Sequence, residues 1–162
     1  MPTSATSSAR KAKPANKRAT VAVQFACARR GLPAAARFRA WARSAAGGRA
    51  EIVIRLVAQA EARALNAAYR GAAYAANVLS FGYGGSPLAG DVVLCPRVVA
   101  REAREQGKTL AAHFAHLTVH GVLHLRGYRH ARAGDAARME RAEIRILRAL
   151  GIGNPYRSSR RG

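Results

Sequence analysis

Residues 113–130 read HFAHLTVHGVLHLRGYRH, and this stretch holds all five histidines of the chain. His120 and His124 are four residues apart, a spacing that on an α-helix places two side chains one above the other on the same face. Gly127 follows them, and a glycine in the left-handed conformation commonly ends a helix and turns the chain. We therefore predict a helix whose end lets His130 fold back towards the point that His120 and His124 share.

Three imidazoles that converge on one point predict a metal site. Three neutral histidines with a fourth position open to water are the usual ligands of a catalytic zinc, which lowers the pKa of its bound water to about 7. The pattern favours a hydrolase that holds one Zn2+ per chain through His120, His124 and His130. His116 lies on the same stripe and competes as third ligand, although three ligands along one straight helix surround an ion poorly. Packed histidines without a metal are the alternative, which this spacing and the glycine after it disfavour.

One large group of zinc proteases has the same spacing, His-Glu-x-x-His-x-x-Gly-x-x-His, with the glutamate as general base. This chain has Gly121 where that group has the glutamate. Peptide hydrolysis is therefore disfavoured, and the remaining candidates for a base are His116 and a metal-bound hydroxide.

The segment from His120 to His130, HGVLHLRGYRH, resembles the signature H-G-x-L-H-L-x-G-Y-D-H of the bacterial YbeY family. The resemblance extends over about residues 20 to 156. Its other segments are LN at 65–66, YRG at 69–71, NVLSF at 77–81, GDVV at 90–93, QGK at 106–108 and HFAHL at 113–117.

The resemblance implies a zincin-like, metal-dependent endoribonuclease that cuts single-stranded RNA. Its expected roles are maturation of ribosomal RNA, at the 3′ end of the small-subunit rRNA, and ribosome quality control. The family's three zinc histidines correspond to His120, His124 and His130, and its functionally important arginine corresponds to Arg70. Arg70, His120 and His124 are thus the expected catalytic residues.

Two departures from the family pattern lie beside the last histidine. Arg129 stands where the family has aspartate, and residues 131–135, ARAGD, replace an acidic stretch. A cation beside a metal ligand works against a dication, whereas an acid orients the imidazole. We hypothesise that Arg129 weakens metal binding or contacts a phosphate of the substrate.

Arg70 lies at the predicted end of a helix, just before Gly71. Arginine recognises phosphate through two parallel hydrogen bonds and can stabilise charge that develops during hydrolysis. A cation favoured by the helix dipole, worth about 0.3–1 kcal/mol, is the alternative explanation. The resemblance favours the functional explanation, in which Arg70 binds a phosphate.

The formal net charge of +20 predicts attraction to polyanions, of which nucleic acid is the commonest. Coding bias explains many of the arginines equally well, but the field they create still favours RNA. Residues 1–19 are basic and lack acids, so we expect a disordered arm that either contacts RNA or is a solvated extension. We expect one folded domain at 20–156 and a basic tail at 157–162.

Two cysteines, Cys27 and Cys95, give no disulfide framework, and the chain has no long apolar run. We therefore expect a cytoplasmic protein that is neither secreted nor embedded in a membrane.

Apolar periodicity predicts an α+β domain with one small sheet of four strands and about five helices. The expected strands are 21–25, 51–57, 78–83 and 91–94, the last two antiparallel, and the expected helices are 33–46, 59–70, 96–106, 109–126 and 135–150. Phe38 and Trp41 are expected in the core rather than as a base-stacking pair. The histidine helix would pack on the sheet beside a cleft walled by Arg70 and the strand of Ser80.

The residues thus predict a metal-dependent hydrolase whose surface attracts polyanions. The resemblance implies that it is a zinc-dependent endoribonuclease with ribosomal RNA and the small ribosomal subunit as partners. The alternative is a non-catalytic RNA-binding ribosome-assembly factor in which the metal is structural.

Overall fold

The structure is a computed structural model that describes residues 18–157. The predicted arm at 1–19 and tail at 157–162 therefore lie almost wholly outside the described residues. The elements in chain order are β1 (Thr20–Ala26), α1 (Ala35–Ala46), β2 (Ala50–Val57), α2 (Gln59–Arg70), β3 (Val78–Gly82), β4 (Leu88–Leu94), α3 (Pro96–Gln106), α4 (Leu110–Leu125) and α5 (Ala133–Ala149).

The four strands form one mixed sheet in the order β1-β2-β4-β3. β1, β2 and β4 are parallel, and β3 is antiparallel to β4. Between residues 18 and 157, the α+β class, the four strands, the five helices and the antiparallel pair are as predicted. β4 begins three residues before the predicted strand, because Leu88 to Gly90 pair with β2 although two of these three residues have small side chains.

The sheet has helices on both faces. α1, α4 and α5 share a core with residues such as Ile54 and Val92 of the sheet. A smaller cluster on the other face joins Leu79 and Val93 to α2 and α3. Phe38 is fully buried and packs edge-on against Trp41 at 5.2 Å between ring centroids, which confirms the core interpretation of this pair.

Gly121 explains how the histidine helix lies so close to the sheet. A Cβ at this position would be 2.7 Å from Val92 Cγ1 and 3.2 Å from Val78 Cγ2, so a side chain here would push α4 away. The hydroxyl of Ser80 donates a hydrogen bond of 2.9 Å to the carbonyl of Gly121. The predicted packing of the histidine helix on the sheet is confirmed.

Cys27 and Cys95 are both free thiols. Of the helices between residues 18 and 157, none combines the length and apolarity that a membrane crossing requires.

Candidate metal centre

His120 and His124 lie on the last two turns of α4 with their Nε2 atoms 3.0 Å apart. Gly127 has φ +96° and turns the chain, and Tyr128 donates its N–H to the carbonyl of Leu123 at 3.0 Å. This turn brings the ring of His130 to 4.8 Å from that of His124, centroid to centroid. One nitrogen from each of the three histidines lies within 4.8 Å of the others, a group that could hold a metal ion.

The hydrogen bonds around this group fit a cation. His124 Nδ1 is 2.9 Å from the carbonyl of Tyr128, and His120 Nδ1 is 3.2 Å from a carboxylate oxygen of Glu143. Both partners only accept hydrogen bonds, so each Nδ1 carries the proton and each Nε2 presents a lone pair. Two lone pairs at 3.0 Å repel each other unless a proton or a metal ion lies between them. Neutral imidazole is the form that binds divalent transition metals.

His124 is held in this neutral form. Burial, followed by the charges of His120 and His130, lowers the pKa of His124 to about 4. At neutral pH the ring therefore keeps its lone pair available for a metal.

Glu143 is a residue of this centre that sequence reasoning missed. Its carboxylate is buried on α5 and lies 2.6 Å from His116 Nε2, and it accepts a hydrogen bond of 2.6 Å from the hydroxyl of Tyr156. Burial alone would raise the pKa of Glu143, but the hydrogen bonds with His116 and His120 outweigh it and hold the pKa at about 2. A buried anion thus stands behind His120, a partner that orients an imidazole and raises its basicity.

A signal for Glu143 was present in the sequence. It falls on the apolar stripe of α5, four residues after Met139 and three before Ile146, both of which are buried. An acid in such a stripe needs a buried partner, because an unpaired charge in a core is costly. The partner, a histidine 23 residues earlier in the chain, was not identifiable from spacing alone.

His113 and His116 have other partners. His116, the competing third ligand, bonds to Glu143 through Nε2, and its ring lies edge-on to that of Tyr156. His113 is buried with Nε2 3.0 Å from a carboxylate oxygen of Glu102. His116, His120 and Glu143 form a second set within 4.8 Å, but this geometry already satisfies the acid with hydrogen bonds.

A cleft of about 800 Å³ opens over the three histidines. Arg70, at the C-terminal end of α2, and Ser80 of β3 both line it, as predicted for its walls, and so does Arg129. The structure therefore brings all five predicted site residues, Arg70, His120, His124, Arg129 and His130, to one cleft.

Gly121, at the position of the protease glutamate, is not among the residues that line this cleft. A Cβ there would meet Val92 and lie 3.1 Å from the Ser80 hydroxyl, so no glutamate fits at this position. The residue contributes close packing, which weakens the protease interpretation further.

Comparison with known proteins identifies a family that the chain matches. A family model described as endoribonuclease YbeY matches residues 15–151. The chain is 53% identical over 141 residues to an endoribonuclease YbeY of Thiobacillus denitrificans, covering 85% of this chain and 96% of that protein. It is 57% identical over 125 residues to one of Aromatoleum aromaticum, covering 76% and 81% of the two chains.

The fold also has a match among solved structures. The solution structure of a Thermotoga maritima protein aligns with a TM-score of 0.55 and 19% identity, covering 88% of this chain and 99% of that one. This likeness concerns the fold alone.

Proposed function

Because the chain belongs to the YbeY family of endoribonucleases, we propose that it is a zinc-dependent enzyme that hydrolyses single-stranded ribosomal RNA. The observation that carries the proposal is the pair of Nε2 atoms of His120 and His124, 3.0 Å apart, in a cleft that both histidines and two arginines line. A metal ion and phosphate-binding side chains in one cleft are an arrangement that can catalyse phosphodiester hydrolysis.

His120, His124 and His130 would hold the zinc ion. When bound there, zinc supplies a Lewis acid and lowers the pKa of a coordinated water to about 7. The residues of the chain prepare the site: Tyr128, through its carbonyl, and Glu143 fix the rings of His124 and His120 with their lone pairs towards the cleft.

Arg70 and Arg129 would bind the phosphate of the substrate. Both are exposed, and both line the cleft. A guanidinium matches the geometry of two phosphate oxygens and remains charged at all physiological pH values. The net charge of +20 adds long-range attraction of RNA to this cleft.

We place the activity at the 3′ end of small-subunit ribosomal RNA and in ribosome quality control, in the cytoplasm, as the family resemblance implies. The catalytic domain would span residues 20–156, with the basic segments at 1–19 and 157–162 adding contacts to RNA. These segments contain cations and no acids, which supports phosphate neutralisation.

A second candidate function is supported by the lining of the cleft. Within residues 18–157, no aspartate or glutamate lines it, so it offers no carboxylate as a general base. An RNA-binding assembly factor with a structural metal would need none.

The test is cleavage of a labelled single-stranded RNA by the wild-type protein and by His124→Ala, purified identically, with RNA binding and zinc content measured in the same samples. The enzyme hypothesis expects cleavage that disappears in the variant, is lost on chelation and returns with zinc. The variant also controls for contaminating nucleases. Equal binding with no difference in cleavage would favour the assembly factor.

A further inference from the structure

A second depression, of about 300 Å³, adjoins the metal cleft. It lies between the turn after α4 and the beginning of α5, and Gly127 and Arg129 line both cavities. Its other lining residues are Arg126, Tyr128, Asp135 and Arg138. We call it the arginine pocket.

The arginine pocket is cationic. Three arginines, Arg126, Arg129 and Arg138, and a single acid, Asp135, line it. In the part of the chain that the structure describes, no ion pair within 4 Å joins Asp135 to any of them. Asp135 therefore lowers the net charge of the pocket but forms no ion pair with its three arginines.

Arg126 is held in place before any ligand arrives. Its Nη1 donates a hydrogen bond of 2.8 Å to the carbonyl of Ala45, at the C-terminal end of α1. A Cβ on Gly47 would lie 3.5 Å from the same atom, so the guanidinium rests against the helix end. Fixing a long side chain in advance removes part of the entropy cost of binding a ligand.

We propose that the arginine pocket binds a second phosphate of the RNA strand, one that neighbours the phosphodiester in the metal cleft; this inference rests on the proposed function. Gly127 and Arg129 form the boundary between the two cavities, so a strand that leaves the metal cleft on the side of α5 passes Arg129. Arginines at a small pocket suit a phosphate better than a base, because a guanidinium binds two of its oxygens at once. The pocket would fix the register of the strand over the histidines.

The test compares Arg138→Ala with Arg145→Ala, a matched change of charge on the same helix. Arg145 is also exposed, and it does not line the arginine pocket. Binding of a labelled single-stranded RNA to the zinc-loaded full chain is measured at several salt concentrations, under conditions in which gel analysis shows that the strand stays intact. Arg138→Ala should weaken binding about three- to tenfold and reduce the salt slope by about 0.7, the value for one phosphate contact on a single strand. Arg145→Ala should change both much less.

A second arm identifies the ligand as a backbone phosphate. A set of RNAs each carries one neutral methylphosphonate linkage at a different position. Wild-type protein should lose affinity at each linkage that it contacts, one of them next to the cleaved bond, and Arg138→Ala should be insensitive at that one linkage while remaining sensitive at the others.

Two results would overturn the inference: equal losses in both variants, or an unchanged linkage profile in Arg138→Ala. The second result would show that the pocket does not contact a phosphate of the bound strand. Both arms measure binding, so a protein that binds RNA without cleaving it would refute the proposed activity and still test the pocket.

Discussion

A carboxylate oxygen of Glu143 lies 3.2 Å from Nδ1 of His120, so a buried acid of α5 holds an imidazole of α4 with its other nitrogen towards the cleft. The acid and the histidine belong to different helices. The packing of α5 on α4 thus determines the orientation of a candidate metal ligand.

Glu143→Gln should weaken zinc binding about 10- to 100-fold, the usual effect of losing a partner behind a metal-bound histidine. The amide keeps the size of the side chain but removes the charge that favours the Nδ1–H form of His120. A competition titration with a chromophoric chelator measures the affinity. Tyr156→Phe is the control, because it removes the hydrogen bond to the other carboxylate oxygen and a 3.3 Å contact with His116 Nε2 but leaves the carboxylate in place, and it should have a smaller effect. Unchanged zinc affinity in Glu143→Gln would contradict the orienting role.

The metal-free protein should lose stability as the pH falls from 6.5 to 4. The pKa of His124 drops from its usual 6.5 to about 4 on folding, because burial disfavours the charged ring. As the pH falls, the unfolded chain therefore binds a proton at His124 before the folded chain does. The contribution of neutral His124 to the free energy of unfolding is complete above pH 6.5 and is lost as the pH falls to 4. Free energies of unfolding from urea titrations at several pH values provide the measurement.

His124→Gln isolates this contribution. The difference in unfolding free energy between the wild-type and variant proteins should shrink across that window and stay constant above it. A constant difference from pH 7.5 down to 4 would show that His124 titrates normally in the folded protein.

Gly121→Ala should destabilise the protein by about 1–3 kcal/mol, the range for overpacking a core. Alanine favours a helix over glycine by about 1 kcal/mol, but here its Cβ would be 2.7 Å from Val92 Cγ1. Gly134→Ala is the matched control, because a Cβ at this position of α5 has no neighbour within 4 Å. Thermal or urea unfolding should show loss of stability in the first variant and none in the second. Equal effects would mean that α4 can shift away from the sheet without cost.

The sequence allowed the fold to be predicted where the signals were local. α2 and α3 match their predicted bounds, because Gly71 and Gly107 end them, and α4 begins at the cap that Thr109 supplies. The start of β4 was missed, since Ala89 and Gly90 join the sheet through backbone pairing and have no apolar alternation to mark them.

The candidate site also has one part that local sequence predicts and another that depends on tertiary packing. His120, His124 and His130 lie within eleven residues, so helical geometry and one glycine were sufficient to predict that they converge. Glu143, and the bond from Arg126 to the carbonyl of Ala45, depend on how helices distant in the chain pack together. Such contacts follow from tertiary structure and leave little trace in a single sequence.

Arg129→Asp should strengthen zinc binding and weaken RNA binding. The change replaces a cation beside His130 with an acid, which favours a dication and repels phosphate. We expect zinc affinity to rise and RNA affinity to fall about tenfold at low salt, measured by chelator competition and fluorescence anisotropy. Unchanged values for both would show that Arg129 takes no part in either interaction.

Arg70→Ala should lower kcat for RNA cleavage by about 10²- to 10³-fold, the usual cost of removing a group that stabilises developing charge. Zinc content should stay at the wild-type level, because Arg70 lies on α2 and not among the histidines. Arg70→Lys should restore little activity if the side chain binds two phosphate oxygens at once, since an ammonium group cannot reproduce that geometry. Arg63→Ala, an exposed arginine on the same helix, controls for the loss of one charge. If Arg63→Ala and Arg70→Ala lowered kcat equally, Arg70 would contribute only to the general field and the helix-dipole explanation would stand.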